Sequence, residues 1–324
     1  MGSNLNLTYL GSADIQACAI SSREVTEAVH SAFEALSEGR AVIEPQLEMV
    51  VDASLDFKAK GGVLISERIA AVKWYGFAAG NPEAGLPSFI PLIILNELPT
   101  GRPIAVMDGH WISGVRTAAL STVAARALAD PQSHSIGFIG AGLQAISHLD
   151  ALRDFFPLRK VLAHTRTRAS AQRFLEYATS LGLQADWSDD PQLAVRGHSI
   201  VVSSIPRLTE RPAFLDAAWL APGSFVALVD AGRAWKSESL QAIDYTFTDH
   251  LSPTTGRPLE TLFYDGAFAG QLSDLVKLAG QVSDLPTHAR KAMVFGGSGL
   301  ADTAVAALVY RHAIAQGRGT QLPL

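Results

Sequence analysis

The feature that most constrains the fold is a glycine turn that directly follows a short apolar run in the middle of the chain. Residues 135–139 form the apolar run, and residues 140–145 read Gly-Ala-Gly-Leu-Gln-Ala before a helical pattern begins. In a turn of this type, two glycines permit a tight bend and a close approach of the backbone to a pyrophosphate. Gly140 and Gly142 occupy those positions, and Ala145 keeps the helix close to the sheet. The pattern predicts a dinucleotide-binding turn with the diphosphate on the helix N-terminus.

A second apolar run, at 160–164, follows the turn after about twenty residues, which is the spacing of a βαβ nucleotide-binding unit. Enzymes that use NAD usually carry an acidic residue at the end of this strand, where it binds the ribose hydroxyls. This chain has Thr165, Arg166 and Thr167 there instead. Arg166 suits a 2′-phosphate and the two threonines offer hydroxyl groups. The sequence therefore favours NADP and leaves NAD as the alternative.

The N-terminal part of the chain has the pattern of an α+β domain. An amphipathic helix at 21–39 begins with Ser21 and Glu24, which are spaced as a capping box. Strand-like runs follow at 46–52, 56–65, 69–77, 89–95 and 104–108. A helix rich in small residues, at 112–129, then ends before Pro131, because proline makes its continuation unfavourable.

Beyond this proline, strand-like runs alternate with helical patterns, which is typical of a mostly parallel sheet. The runs lie at 135–139, 160–164, 199–204, 224–229, 245–248 and 292–296. The sequence therefore predicts an α/β protein with a Rossmann-type doubly wound parallel sheet at 131–299 and a second, α+β domain at 1–130. We expect the last helix and tail, 300–324, to return to the α+β domain.

Composition excludes several classes of protein. The chain is 48% apolar and 18% charged with a net charge of −5, so it offers no basic field for nucleic acid. No apolar run reaches the roughly 18–20 residues that a membrane span needs. The nine histidines and the single cysteine form no metal-ligand spacing, so we expect no metal site. A chain with one cysteine forms no internal disulfide, and we expect it to reside in the cytoplasm.

Several further blocks lie along the chain in a distinctive order. They are Val72-Lys73-Trp74, Asn81-Pro82-Glu83-Ala84-Gly85-Leu86-Pro87, Asn96-Glu97 with Thr100-Gly101, Val115-Arg116-Thr117-Ala118-Ala119, residues 137–148, and Gly299-Leu300-Ala301-Asp302 with Leu308-Val309-Tyr310. In this order and spacing the chain resembles the ornithine cyclodeaminase/μ-crystallin family over nearly its whole length. The resemblance implies a homodimer in which the N-terminal domain binds a small amino or imino acid and dimerises, while the Rossmann domain binds NAD(P).

The resemblance also implies roles for individual residues. Lys73 and Arg116 match the positions at which the family binds the substrate carboxylate, and we assign Lys73 a catalytic role as well. The alternative is that both are surface cations or partners in ordinary ion pairs. Asp230 follows a strand where family members often place an acidic residue, and it could orient an amine or exchange a proton with it. The alternative for Asp230 is a loop carboxylate that caps the next turn.

The turn at 203–206 resembles the family's Thr-x-Pro turn beside the cofactor. Together with the glycine turn and the end of the second Rossmann strand, it completes the expected cofactor site. The predicted cofactor-binding residues are Gly140, Gly142, Leu143, Gln144, Ala145, Thr165, Arg166, Thr167, Ser203, Ser204 and Ile205.

The chain also departs from the family. Residues 45–48 read Pro-Gln-Leu-Glu where many members carry a basic residue, and residues 57–62 lack the carboxylate that cyclodeaminases place near there. The segment 229–235 resembles the branch that oxidises a carboxyethyl-amino-acid adduct during diaminopropionate synthesis. We expect an NAD(P)-dependent oxidoreductase that transfers hydride at the α-carbon of an amino or imino acid. The alternatives are a cyclodeaminase that releases ammonia and a μ-crystallin-like protein that binds NADP and a small ligand.

Overall fold

The computed structural model describes residues 5–206, 212–250, 271–279 and 285–324. They divide into two compact units, of which unit 1 contains 5–116 and 298–324. Unit 2 contains the other described residues, from Thr117 onward. The first division falls inside a helix, earlier than the predicted position at 130/131. The second part of that helix bonds within unit 2, where the Lys291 ammonium donates to the Leu128 carbonyl at 2.9 Å.

Unit 1 is built on an eight-stranded sheet. Its strands are β1 (Asn6–Leu10), β2 (Ala41–Ile43), β3 (Leu47–Val50), β4 (Leu55–Leu64), β5 (Ile69–Ala78), β6 (Phe89–Glu97), β7 (Pro103–Asp108) and β16 (Thr320–Pro323). The strand order is β16-β1-β7-β6-β5-β4-β2, and β3 pairs with β4. Neighbouring strands are antiparallel except β1 and β7, which are parallel. Each strand predicted in this part of the chain is present.

The helices of unit 1 are α1 (Ser12–Ala17), α2 (Ser22–Ser37), the beginning of α3 (His110–Leu128) and α8 (Gly299–Ala315), with a 3-10 turn at Asn81–Ala84. The predicted capping box starts α2, because the Ser21 hydroxyl accepts from the Glu24 amide and Glu24 accepts from the Ser21 amide. Small and aliphatic side chains of α2 and α8 pack against β2 and β4 in one cluster. Its buried members are Ala32, Ala35, Ala41, Leu64, Leu300 and Ala304. The C-terminal helix therefore belongs to the core of unit 1.

Unit 2 is a parallel eight-stranded sheet. Its strands are β8 (Ser135–Ile139), β9 (Lys160–His164), β10 (Gln184–Ser188), β11 (Ile200–Ser203), β12 (Phe225–Leu228), β13 (Tyr245–Thr248), β14 (Gln271–Asp274) and β15 (Lys291–Val294). The order is β10-β9-β8-β11-β12-β15-β13-β14, with every pair parallel. The chain order reverses between β8 and β11. In open α/β sheets, ligands bind at the carboxyl ends of the strands beside such a reversal.

The helices of unit 2 are the rest of α3, α4 (Leu143–Arg153), α5 (Arg168–Ser180), α6 (Pro191–Val195) and α7 (Leu275–Ala279), with 3-10 turns at Ala217–Trp219 and Ser237–Ala242. The Rossmann-type sheet and the second α+β unit confirm the predicted fold class. Across the described segments, none of the helices combines the length and apolar character that crossing a membrane requires.

Candidate functional site

The glycine turn lies at the carboxyl end of β8, beside the reversal of strand order. Gly140 has φ +93°, in the left-handed region that glycine adopts without strain. Gly142 is the N-cap of α4, and a Cβ built on it would meet no described protein atom within 4 Å. The turn therefore presents the first amides of α4 to open space, which is the geometry that a pyrophosphate requires. These residues fit the dinucleotide predicted from the sequence.

The residues that follow the glycines divide into packing and exposed positions. Ala145 is buried against the sheet, as the motif requires, whereas Gln144 is half-buried. Leu143, the first residue of α4, is 64% exposed. A large apolar side chain exposed at the mouth of a phosphate-binding turn is available to cover a bound ligand.

The predicted ribose-binding residues in the loop after β9 have different environments. The Thr165 hydroxyl donates to the Thr167 carbonyl at 2.7 Å and accepts from the Trp187 indole at 3.0 Å. The Thr167 hydroxyl caps α5 by accepting from the Ser170 amide. Both threonine hydroxyls are therefore engaged in holding the loop. Arg166 is exposed, so its guanidinium is the group that this loop offers to a phosphate.

The turn after β11 is held by a buried network that includes Asp230. The Ser203 hydroxyl donates to Asp230 Oδ1 at 3.0 Å and accepts from the Trp235 indole at 2.9 Å. The Gly232 amide donates to the same carboxylate oxygen at 3.1 Å. Burial raises the pKa of Asp230, and the hydrogen bonds from Ser203 and from backbone amides oppose that rise. The contact with the Gly232 amide is the one that the capping alternative expects, and the contact with Ser203 also ties Asp230 to the turn at 203–206.

Unit 1 contains a buried cluster of charges. The Lys73 ammonium on β5 is 1% exposed and lies 2.7 Å from both carboxylate oxygens of Asp302. It also donates to the Ser113 hydroxyl at 3.4 Å. On α3, Arg116 Nε lies 3.0 Å from Asp302 Oδ1, although its N–H does not point at this oxygen well enough to form a hydrogen bond. The structure thus brings the two predicted carboxylate-binding cations together around one internal carboxylate.

Glycines on β4 and α8 explain why Asp302 reaches these cations. A Cβ on Gly299 would lie 2.3 Å from the Gly61 carbonyl oxygen, and one on Gly62 would lie 2.8 Å from Leu300 Cα. Only glycine at these positions lets the first turn of α8 lie directly on β4. Asp302 sits in that first turn and so reaches Lys73 on the adjacent strand. Gly299, Leu300 and Asp302 lie in one of the family blocks, but the sequence did not indicate that Asp302 meets Lys73 and Arg116.

The charges in the cluster shift each other's pKa values. Burial lowers the pKa of Lys73 to about 8, with Asp302 opposing the change and Arg116 adding to it. Burial alone would raise the pKa of Asp302, but Arg116, Lys73 and Lys60 outweigh it and hold this pKa below its ordinary value. At neutral pH the carboxylate is therefore ionised and Lys73 is mostly an ammonium.

The cluster still has hydrogen-bond donors that can bind the carboxylate of a ligand. In the part of the chain that the structure describes, Asp302 is the one ion-pair partner of Arg116, which it meets through Nε. The terminal guanidinium nitrogens, with their paired N–H donors, match the two oxygens of a carboxylate. The Tyr75 and Phe89 rings stand beside the ammonium of Lys73, at 5.7 and 6.0 Å from Nζ, and give the site an aromatic wall.

The parallel sheet with a phosphate-binding turn at its reversal defines a Rossmann-type dinucleotide-binding protein, and unit 1 adds a buried cationic cluster. A family model for the ornithine cyclodeaminase/mu-crystallin family matches residues 9–317. The chain belongs to this family, as its sequence blocks predicted.

Individual relatives agree in length and fold. The alanine dehydrogenase of Archaeoglobus fulgidus is 29% identical over 313 residues, which cover 94% of each chain. The structure of an archaeal alanine dehydrogenase dimer with bound NAD superposes with a TM-score of 0.87 at 25% identity and covers 99% of this chain and 100% of that one. The Δ1-pyrroline-2-carboxylate reductase of Thermococcus litoralis, in complex with NADH and L-proline, gives a TM-score of 0.86 at 25% identity, with 97% and 99% coverage.

Proposed function

We propose that the chain is an NAD(P)-dependent oxidoreductase acting on C–N bonds, which transfers hydride between the nicotinamide and the α-carbon of a small amino or imino acid. The observation that carries the proposal is the convergence of Lys73 and Arg116 on Asp302 within a chain that also has the dinucleotide turn. The activities named for the similar proteins, alanine dehydrogenase and pyrroline-2-carboxylate reductase, support the same class of reaction.

The residues of unit 1 bind and orient the acid. Arg116 binds the α-carboxylate through its terminal N–H groups, and Lys73 contributes the N–H that is not directed at Asp302 or Ser113. Asp302 holds both cations in position and offsets the electrostatic repulsion between them. With a pKa of about 8, the Lys73 ammonium also holds a proton at neutral pH that the substrate nitrogen can take up.

The residues of unit 2 bind the cofactor. When bound, the reduced nicotinamide supplies a hydride to the α-carbon of an imino acid, the C=N bond becomes a C–N bond, and the nitrogen takes up a proton. Gly140, Gly142 and the amides at the start of α4 hold the pyrophosphate, with Leu143 beside it. Arg166 pairs with a 2′-phosphate, so NADP is the preferred cofactor. Asp230 acts as a positioning residue that fixes the turn at 203–206.

Two copies of the chain associate through the outer face of the unit 1 sheet. Trp74 on β5 lies directly opposite Leu92 on β6, and both are exposed, together with Ile90 and Ile94 on the same face. An apolar face of this kind is typical of a subunit interface. The similar archaeal alanine dehydrogenase is a dimer. We assign the homodimer to the cytoplasm, where its one cysteine, the free and buried Cys18, remains a thiol.

The test is a spectrophotometric screen of NADPH and NADH oxidation with small cyclic imines and with 2-oxo acids in the presence of ammonium. We expect one equivalent of cofactor to be oxidised for each amino acid formed. Ammonia release from ornithine or lysine with catalytic NAD would contradict this and identify a cyclodeaminase. Saturable ligand binding without turnover over the whole panel would identify a binding protein.

A variant separates the roles of the two units. Arg116→Ala should lower kcat/KM for the acid by about 100-fold, the effect of losing paired hydrogen bonds between charged groups, and should leave the Kd for NADPH nearly unchanged. Arg102→Ala is the matched control, because Arg102 is a partly exposed unit 1 arginine paired with Glu97. An equal loss of acid and cofactor binding in Arg116→Ala would contradict the assignment.

A further inference from the structure

Gln46 carries a buried hydrogen-bond acceptor that no step of the proposed reaction uses. The residue directly precedes β3 and is half-buried. Its Nε2 group donates to Glu48 Oε2 at 3.1 Å, and because a carboxylate only accepts, this contact fixes the orientation of the amide. The amide oxygen Oε1 is buried, and among the described residues no group donates a hydrogen bond to it. Gln46 therefore holds a carbonyl oxygen that can still accept a hydrogen bond.

Gln46 lies on the same face of the sheet as Lys73 of the charge cluster. Glu48 is directly opposite Lys58 on β4, and Glu48 Oε1 lies 2.5 Å from Lys58 Nζ. Continuing this antiparallel register by two residues places Gln46 opposite Lys60, which is itself directly opposite Lys73 on β5. Directly opposed residues point to the same face, so Gln46, Lys60 and Lys73 form one row across the sheet. Neighbouring strands are about 4.8 Å apart, so the backbones at the two ends of the row are about 10 Å apart.

Another glutamine of the chain shows the contrast. The Gln172 Nε2 group on α5 donates to Glu176 Oε1 at 2.7 Å, so both glutamines bond to a neighbouring carboxylate. Gln172 is exposed, and solvent can bond to its amide oxygen. The amide oxygen of Gln46 is buried instead, and a buried acceptor without a donor lowers the stability of the fold. An apolar side chain would avoid that cost, so the glutamine at this position points to a ligand that donates a hydrogen bond.

We infer that the Gln46 amide oxygen accepts a hydrogen bond from an uncharged donor on the substrate side chain, so that the preferred substrates are imines of hydroxylated 2-oxo acids or the corresponding hydroxy amino acids. This inference rests on the proposed function. Arg116 and Lys73 hold the α-carboxylate, and the side chain extends along the row of residues until its hydroxyl meets Gln46. A hydrocarbon side chain leaves this oxygen unpaired. An ammonium at the same place would lie beside the Lys60 side chain, and like charges repel.

The test compares matched substrates in the full-length protein. NAD(P)H oxidation is measured in ammonium buffer with pyruvate and 3-hydroxypyruvate and with 2-oxobutyrate and 2-oxo-4-hydroxybutyrate, and the rates without ammonium are subtracted. The members of each pair differ by one hydroxyl group. The wild type should favour the hydroxylated acids in kcat/KM by at least about 10-fold, and Gln46→Met should remove this preference, since one hydrogen bond is lost. Gln172→Met is the matched control and should leave the preference unchanged.

A second measurement separates substrate binding from a structural role. The urea midpoint of Gln46→Met should equal or exceed that of the wild type, because methionine removes the buried acceptor and has a similar shape. A preference that is absent from the wild type, or is the same in wild type and Gln46→Met, would overturn the inference and leave the proposed function standing. A lower urea midpoint with equal loss of activity toward both members of a pair would also overturn it. Absence of NAD(P)H oxidation with every acid and cyclic imine would instead refute the proposed function.

Discussion

Asp302→Asn tests the charge cluster because the substitution preserves shape and removes one charge. In the described chain, Asp302 is the carboxylate that meets both Lys73 and Arg116, and it is 1% exposed. Removing one partner of a buried ion pair costs about 3–5 kcal/mol, since the remaining charge is left without compensation. Here two cations remain and face each other. We therefore expect the free energy of unfolding to fall by about 3–5 kcal/mol at pH 7.

The pH dependence of the free energy of unfolding provides a second test of the same prediction. Burial has already lowered the pKa of Lys73 from 10.5 to about 8, and Asp302 opposes that shift. In Asp302→Asn the pKa of Lys73 should fall below this value, so the folded variant releases its proton at lower pH than the wild type. The unfolded chain then binds more protons than the folded variant, and stability rises with pH. The difference in stability between variant and wild type should narrow as the pH increases toward about 8.

The assay is urea unfolding followed by tryptophan fluorescence at several pH values. Glu97→Gln serves as the control, because Glu97 and Arg102 form an ion pair whose side chains are 29% and 39% exposed. Exposed pairs contribute little, so this control should barely move the urea midpoint. Equal midpoints for Asp302→Asn and Glu97→Gln, or a stability difference that widens toward pH 8, would refute the reasoning about the cluster.

Four further variants test unit 2. Gly142→Ala should leave the urea midpoint unchanged and raise the Kd for NADPH by at least about tenfold, because the added Cβ meets only open space, where we propose that the pyrophosphate binds. Gly140→Ala should instead cost about 1–3 kcal/mol of stability, since φ is +93° there. Arg166→Ala should weaken NADPH binding much more than NADH binding in a fluorescence titration, and equal losses would contradict its pairing with the 2′-phosphate. Burial lowers the pKa of His148 from 6.5 to about 4. The free energy of unfolding should therefore be highest above pH 6.5 and should fall by up to about 3 kcal/mol as the pH drops toward 4, because the unfolded chain binds the proton more readily. In His148→Gln this decrease in the free energy of unfolding should be absent.

Much of the fold could be predicted because its signals are local. The capping box at Ser21 and Glu24 starts α2, and the glycine turn lies between β8 and α4 as predicted. Continuous apolar runs identified the buried central strands of unit 2. The edge strand β10 was missed because its residues, 184–188, read Gln-Ala-Asp-Trp-Ser and lack such a run. Edge strands bury less surface, so they require fewer apolar residues in their sequence.

The candidate site was only partly predictable. The sequence identified Lys73 and Arg116 through their resemblance to family positions, but it gave no sign that both meet Asp302. That contact joins residues 229 positions apart in the chain for Lys73 and depends on the approach of α8 to glycines on β4. For Asp230, resemblance to the family implied a catalytic role, which stays a prediction, and the sequence did not indicate that its carboxylate also bonds to Ser203 and to the Gly232 amide. Spacing in a sequence identifies chemical groups, and tertiary packing decides what each one touches.

The central claim is tested most directly by following the transferred hydrogen. NADPH that carries deuterium at both C4 positions of the nicotinamide is incubated with the protein and an imino acid, and the product is analysed by mass spectrometry and NMR. The account predicts one deuterium on the α-carbon of the amino acid for each NADP⁺ formed, with loss of the transfer in Arg116→Ala while NADPH still binds. Absence of deuterium from the α-carbon, with the cofactor bound but unchanged over the whole panel of acids, would contradict it.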